Sequence, residues 1–157
     1  MTGTDGCATI FLNVTRASTM SRLVRFGVSL DRKLLDQFDR LIKEKKYTNR
    51  SEAFRDLIRQ ELVKREWEGG KEVAGAITFI YDHHQRDLLN KVMDLQHRFQ
   101  HLIISTQHIH LDHEHCLEML AVRGNSRDVR RLADTLNAVK GVRYGTLSMS
   151  STGHEIE

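Results

Sequence analysis

Hydrophobic and polar positions change period twice along this chain. In Arg25-Phe26-Gly27-Val28-Ser29-Leu30 they alternate strictly, with Phe26, Val28 and Leu30 on one side and Arg25, Gly27 and Ser29 on the other. That is the period-2 signature of a strand. After Asp31, residues Leu34, Leu35, Phe38, Leu41 and Ile42 recur at helical spacing. Tyr47-Thr48-Asn49-Arg50-Ser51 then supplies polar capping residues, and a second helix carries Ala53, Phe54, Leu57, Ile58, Leu62 and Val63. The glycine pair in Glu68-Gly69-Gly70-Lys71 ends the helical pattern.

Beyond the glycines, strands and helices alternate. Val73 to Tyr81 reads as a strand, and Arg86 to Phe99 as a helix with Leu88, Leu89, Val92, Met93 and Phe99 on one stripe. Ile103 to Leu111 is a strand, Asp112 to His115 a turn, and Cys116 to Val122 the returning strand. Gly124-Asn125 makes a turn, and Ser126 is placed as the cap of a helix with Val129, Leu132, Ala133 and Leu136 inward. Gly141 is placed at that helix's C-terminus, and Val142 to Met149 closes as a strand. The order β-α-β-β-α-β is ferredoxin-like, so the chain as a whole is α+β. The pattern divides it into a leader (1–20), a strand-helix-helix unit (21–67), a linker (68–72), a second α/β unit (73–150) and a tail (151–157).

One strand and two helices in about 50 residues cannot close a core, and a lone strand leaves an open edge. Pairing with the same strand of a second copy solves both problems. The resulting two-stranded ribbon fits the major groove and presents Arg25, Gly27 and Ser29 of each chain to base edges. The second helix begins near Asn49, so its free amides together with Arg50 can hold a phosphate. A helical dimerisation module with a solvated strand face is the plainer reading of the same pattern.

Composition narrows the function classes. The 157 residues are 39% hydrophobic and 29% charged, which fits a soluble globular chain rather than a disordered or membrane one. No apolar run approaches the roughly 20 residues of a membrane span. Cys7 and Cys116 are too few for a disulfide framework and point to a reducing cytoplasm. The stretch before Met20 lacks the basic start and apolar core of a signal peptide and reads as a leader or an upstream start codon. Charge is divided unevenly. Ser21 to Trp67 holds 13 Lys or Arg against 8 Asp or Glu, whereas from Glu68 onward there are 10 against 12. All nine histidines lie in the second half. A basic half and a histidine-rich half imply two jobs.

Four residues of the second half make a metal constellation. His108 and His110 are two apart on a strand and project from one face. Cys116 opens the returning strand, and His97 lies near the end of the preceding helix. Three imidazoles and a thiolate suit Ni, Cu or Zn better than Mg or Ca, and sequence leaves the geometry open. His83, His84, His101, His113, His115 and His154 are expected to be solvated, with His101 a candidate for a secondary metal contact. Cys116 as a small buried thiol is the alternative.

Residues 22–66, including Asn49-Arg50-Ser51-Glu52-Ala53, resemble the ribbon-helix-helix DNA-binding proteins. Taken with Gln96-His97, His108-Ile109-His110, Cys116-Leu117-Glu118 and Gly141-Val142-Arg143, nearly everything from Arg22 to Met149 resembles the nickel-responsive repressor family, NikR. Members of that family join a ribbon-helix-helix domain to a βαββαβ domain of the ACT type. The resemblance implies a cytoplasmic homotetramer built as a dimer of dimers and one Ni(II) per subunit. His108, His110 and Cys116 of one chain then meet His97 of another in a square-planar site. It further implies a palindromic double-stranded DNA operator, control of nickel uptake, and a helix beginning near Asp82 that lets Arg86 reach the phosphate backbone. Glu52 and Asp56 are the candidates for a second cation site, an exposed acidic face being the plainer reading. Gly27 and Gln85 depart from the family pattern at a base-reading and a basic position.

Two rival readings compete. One is a metal-storage or metal-delivery protein that binds no DNA; the other is an antitoxin-like ribbon-helix-helix regulator whose second domain senses an amino acid. An enzyme is disfavoured, because protein ligands would saturate the metal and no nucleophile–base pair stands out.

Overall fold

The computed structural model describes residues 24–154 and 156; the expected leader and Cys7 lie outside them. Residues 24–30 carry no regular hydrogen-bonded structure and are exposed throughout. The expected strand has no ladder to join, because its partner would be the same segment of a second chain. Val24, Phe26, Val28 and Leu30 therefore present their alternate apolar side chains to solvent.

Helix α1 (Arg32–Glu44) starts where the Asp31 carboxylate accepts the Leu34 N–H, and α2 (Arg50–Glu68) starts where Asn49 accepts the Glu52 N–H. Both caps satisfy amides that the first turn leaves free. Arg50 ties the helices together, donating to the two Asp39 carboxylate oxygens over 2.8 and 2.7 Å. On α1 no residue is fully buried, and on α2 Leu57, Ile58 and Leu62 remain exposed. Phe54, Leu57, Ile58 and Leu62 line an apolar groove on the surface.

Downstream, strands β1 (Glu72–Asp82), β2 (Ile103–His110), β3 (His115–Asn125) and β4 (Val142–Ser150) form one antiparallel sheet in the order β2-β3-β1-β4. Helices α3 (Arg86–Arg98) and α4 (Ser126–Asn137) complete the βαββαβ order. Alternate residues of the two central strands, Val73, Ile77, Phe79 and Tyr81 on β1 with Cys116, Leu120 and Val122 on β3, are buried. They share one core with Leu88, Val92 and Leu95 of α3 and Val129, Leu132, Ala133 and Leu136 of α4. Met93 is half exposed, and Leu95 takes the core position expected of it.

Three local expectations shift. Asn125 caps α4 by accepting the Arg127 N–H, while Ser126, one residue inside, donates to the Trp67 carbonyl over 2.7 Å. Gly141 lies beyond the end of α4, whose C-cap is Ala138. It takes φ 107° in the turn into β4, where an added Cβ would meet Leu88 at 2.8 Å. Helix α3 begins at Arg86, because Asp82 ends β1 and its carboxylate accepts the His84 N–H and the Gln85 side chain.

Trp67 joins the two halves. It lies in the last turns of α2, yet it is buried in the core of the second unit and donates its indole N–H to the Ser150 carbonyl over 2.8 Å. Gly75 admits it: a Cβ there would meet the Ser148 carbonyl at 2.8 Å and the indole at 3.4 Å. Among the described residues no helix is long and apolar enough to cross a membrane.

Candidate metal centre

Register brings the metal candidates together. His110 of β2 and Tyr81 of β1 are the direct cross-strand partners of Cys116, and His108 pairs with Glu118 two residues further on. Directly opposed residues, and residues two apart, share a face of the sheet. His108, His110, Cys116, Glu118 and Tyr81 therefore converge at one end of the helix-covered side. The turn between β2 and β3 is fixed by Asp112, whose carboxylate accepts the Glu114 and His115 N–H groups at 2.8 and 2.7 Å. The Glu114 amide, then the His115 side chain and amide, hold the Asp112 carboxyl down at about 2.

The Cys116 Sγ is fully buried, with the His110 Nδ1 3.2 Å away. His83, in the turn after β1, places its own Nδ1 at the same 3.2 Å. These three ligand atoms lie within 4.8 Å of one another and form the one metal-capable His/Cys/carboxylate group among the described residues. The expectation that His83 is merely solvated fails here. Strand pairing of Asp82 with His115 carries the next residue, His83, over the thiol. His115 is half-buried against the Asp112 carboxylate at 2.9 Å, and His84 has its Nε2 2.9 Å from the His113 carbonyl. His101 is exposed in the short 3₁₀ turn Gln100–Leu102, and His154 is exposed in the tail.

His108 stands in a different environment. Its ring packs edge-on against His110, with centroids 4.9 Å apart, while its Nδ1 lies 3.3 Å from the Tyr81 hydroxyl. Tyr81 donates to the buried Glu118 carboxylate over 2.7 Å, and Gln96 of α3 donates to the other Glu118 oxygen. Neither Tyr81 nor Glu118 could be assigned this supporting role from spacing, because it depends on β1 lying beside β3. His97 is exposed on the last turn of α3 and is not a member of the thiol cluster. It lines a shallow surface cavity with Met93, Gln96, Gln100 and Ile103.

Electrostatics favour the thiol of Cys116 over the thiolate, and the neutral ring of His83, in the metal-free chain. Burial pushes the Cys116 thiol up, and the carboxylates of Asp112, Glu118 and Asp82 add to the effect. His83 is pushed below its ordinary value by burial first, then by His84 and His110. Burial, followed by the Glu118 hydrogen bond, raises the Tyr81 hydroxyl, which stays a donor. A buried thiol flanked by imidazoles is a soft donor set suited to Ni, Cu or Zn.

The other candidate positions lie away from this cluster. Arg25, Gly27 and Ser29 are exposed on the N-terminal segment, and a Cβ at Gly27 would meet nothing within 4 Å. Asn49 is occupied as the α2 cap and Arg50 by Asp39. Arg86 is exposed at the start of α3. Glu52 accepts from the Thr48 hydroxyl, and Asp56 accepts from Tyr47 and from Gln60, so both carboxylates already have donors.

Comparison with known proteins divides the chain in the same way. Residues 24–65 match the model of ribbon-helix-helix proteins of the copG family, and residues 74–150 match the NikR C-terminal nickel-binding domain. A nickel-responsive regulator of Syntrophus aciditrophicus is 66% identical over 85% of this chain and 98% of its own length. One from Chlorobium limicola is 56% identical over 85% of this chain and 100% of its own. One from Solibacter usitatus is 55% identical over 88% of this chain and 100% of its own. A solved structure from Thermotoga maritima aligns with 49% of this chain and 98% of its own at 16% identity and a TM-score of 0.44.

Proposed function

The chain belongs to the family of nickel-responsive regulators, NikR, and on that footing we propose that it represses genes of nickel uptake from a palindromic operator when Ni(II) joins two of its subunits. It is a ribbon-helix-helix transcription regulator rather than an enzyme. The observation that carries the finer reading is the pairing of the buried Cys116 thiol with the His110 Nδ1 at 3.2 Å across adjacent strands. His108, on the same face, and His97 of a second chain complete the ligand set in this reading. The exposed position of His97, outside the thiol cluster of its own chain, favours its use between chains. When bound, Ni(II) supplies a fixed link among these side chains.

The rest of the mechanism is carried by the protein. Glu118 and Tyr81 hold His108 by its Nδ1 and leave its other ring nitrogen for a ligand. Gln96 connects the same Glu118 to the end of α3, beside the His97 that in this reading serves the site of a second chain, so neighbouring sites are linked through one polar support. The uncovered apolar side chains of residues 24–30 and of α2 are expected to meet a second copy, forming the ribbon that presents Arg25 and Ser29 to base edges. Asn49 and Arg50 at the start of α2, and Arg86 at the start of α3, are the phosphate contacts of this reading, with Arg50 exchanging Asp39 for a phosphate. Trp67 gives the metal domain a rigid grip on α2. The assembly in this reading is a homotetramer, a dimer of dimers acting in the cytoplasm with one Ni(II) per subunit, and its symmetry is closed.

Selection from a random duplex pool at one fixed salt concentration, with and without Ni(II), tests this reading. Enrichment of a site with two spaced half-sites only with nickel is the expected result. The same site without metal would leave DNA binding intact and remove the sensing. No site in either arm would favour a metal-handling protein.

A further inference from the structure

Beyond β4 the chain turns back along α2. The Ser150 carbonyl accepts the Trp67 indole N–H over 2.8 Å, and the Ile156 carbonyl accepts the Arg59 Nε–H over 3.3 Å. Arg59 and Trp67 are eight residues apart on α2, so their levels on the helix differ by about 12 Å. Six residues of extended chain reach about 20 Å. The segment from Ser150 to Ile156 therefore covers that rise, running opposite to the helix. We propose that residues 151–156 are a strap fastened to α2 by Arg59, and that Arg59 is a positioning residue through which nickel, bound at the far end of the sheet, alters DNA affinity. The second clause rests on the function proposed above; the fastening does not.

Arg59, Val63 and Trp67 recur every four residues and share one face of α2. Val63 packs against the core of the second unit and Trp67 lies inside it. Phe54, Leu57, Ile58 and Leu62 line the apolar groove and, at about 100° per residue, fall on the opposite side of the helix. The strap thus holds α2 while leaving that groove open to a second chain. Ser151, Thr152, Gly153 and Ile156 are all half-buried. The Gly153 N–H donates to the Ser151 Oγ over 3.1 Å, in a turn for which Gly153 takes φ 88°. The C-terminal tip of α2 is fastened separately. Ser126 and Asn125 donate from the start of α4 to the Trp67 and Gly70 carbonyls over 2.7 and 2.6 Å. With its tip fixed, the freedom left to α2 is a tilt about that tip. Arg59, two turns nearer the DNA-binding end, is where a tilt is resisted, so one exposed hydrogen bond acts there with a long arm. Strand β4 supplies the other end of the path. Its Val142 pairs with Tyr81, the cross-strand partner of Cys116, and its Ser150 pairs with Ala74. It is the covalent link between the neighbourhood of the thiol and the strap.

Full-length wild type is compared with Arg59→Lys and with the double variant Arg59→Ala, Ile156→Gly. Nitrogen-15 relaxation of Thr152, Gly153 and Ile156 reads the fastening: order parameters near those of the sheet are expected in the wild type and below about 0.6 in the double variant. Nickel affinity, from chelator competition, is expected to be equal in all three. The ratio of DNA affinities with and without Ni(II) is read on the duplex enriched by the selection above, or on random duplex where none is enriched. It should fall about fivefold in the double variant and stay near the wild-type value in Arg59→Lys, whose ammonium keeps a donor. Order parameters below about 0.6 in the wild type overturn the fastening and the whole proposal with it. An unchanged ratio in a double variant whose segment has come loose overturns the positioning role of Arg59. A wild-type DNA affinity indifferent to Ni(II), with the segment ordered and released by the double variant, would sink the nickel-gated reading and leave the strap standing.

Discussion

Cys116 shows how much one side chain's surroundings decide. Burial and three carboxylates keep its thiol protonated in the metal-free chain, whereas only the thiolate is a ligand. Binding must therefore expel a proton. Because the thiol sits above its ordinary range, the expulsion continues through neutral and mildly alkaline pH. Nickel affinity is expected to rise about tenfold per pH unit between 6 and 8, read from competition with a chelator of known proton linkage. A flat profile would mean that Cys116 is not a ligand. In Cys116→Ala tight binding and the proton release that belongs to the thiol should vanish together while the oligomer persists. At the other end of the chain, Arg25 has a neighbour on its face with no side chain, Gly27, so Arg25 carries more of any base reading. Arg25→Ala should cost about 1–3 kcal/mol of operator affinity and flatten preference at one base pair of each half-site. A uniform loss across all sequences would make Arg25 a phosphate contact.

At the scale of elements, regular patterning made the sequence readable. Among the described residues, the periods of 2 and 3.6 gave all four strands of the sheet and all four α-helices to within a few residues, because a half-buried element must repeat its apolar side chains. The metal pair His108 and His110 was legible for the same reason. His83 was not, since its role arises from β1 lying between β3 and β4, a neighbourhood that no local pattern records. Trp67 was hidden similarly: charge places it with the basic half, yet its ring packs into the other core with Arg130 over it at 5.4 Å. Truncation should show that α2 is one lever with two anchorages. Trp67→Ala is expected to cost about 3–5 kcal/mol, as for other buried large-to-small changes, in denaturant melts of the apo protein. Loss of the indole and of its bond to the Ser150 carbonyl should also uncouple the halves, so nickel binding survives while its effect on DNA affinity shrinks. A stability loss below about 1 kcal/mol would show that the indole anchors nothing.

The molecule as a whole has more apolar surface than a lone chain should expose. Val24, Phe26, Val28 and Leu30 form one stripe and Leu57, Ile58 and Leu62 another, while Ile104, Ile109 and Leu111 lie exposed along and just past β2. Patches at both ends suit two different self-contacts, and so an assembly larger than a dimer. Whether the metal site spans one of those contacts can be decided by mixing two dead variants. His97→Ala keeps His108, His110 and Cys116; Cys116→Ala keeps His97. If ligands come from two chains through a two-fold contact, a mixed pair holds one whole site and one doubly broken one. Equal amounts unfolded and refolded together pair at random, half of the pairs are mixed, and about a quarter of wild-type nickel sites return. If all the ligands of a site came from one chain, every site in the mixture would stay broken and none would return. Counting tight nickel sites by equilibrium dialysis separates the two outcomes, because each variant alone sets the zero. A recovered quarter would also make DNA binding by the mixture respond to nickel again, through pairs in which neither chain could respond with its own kind.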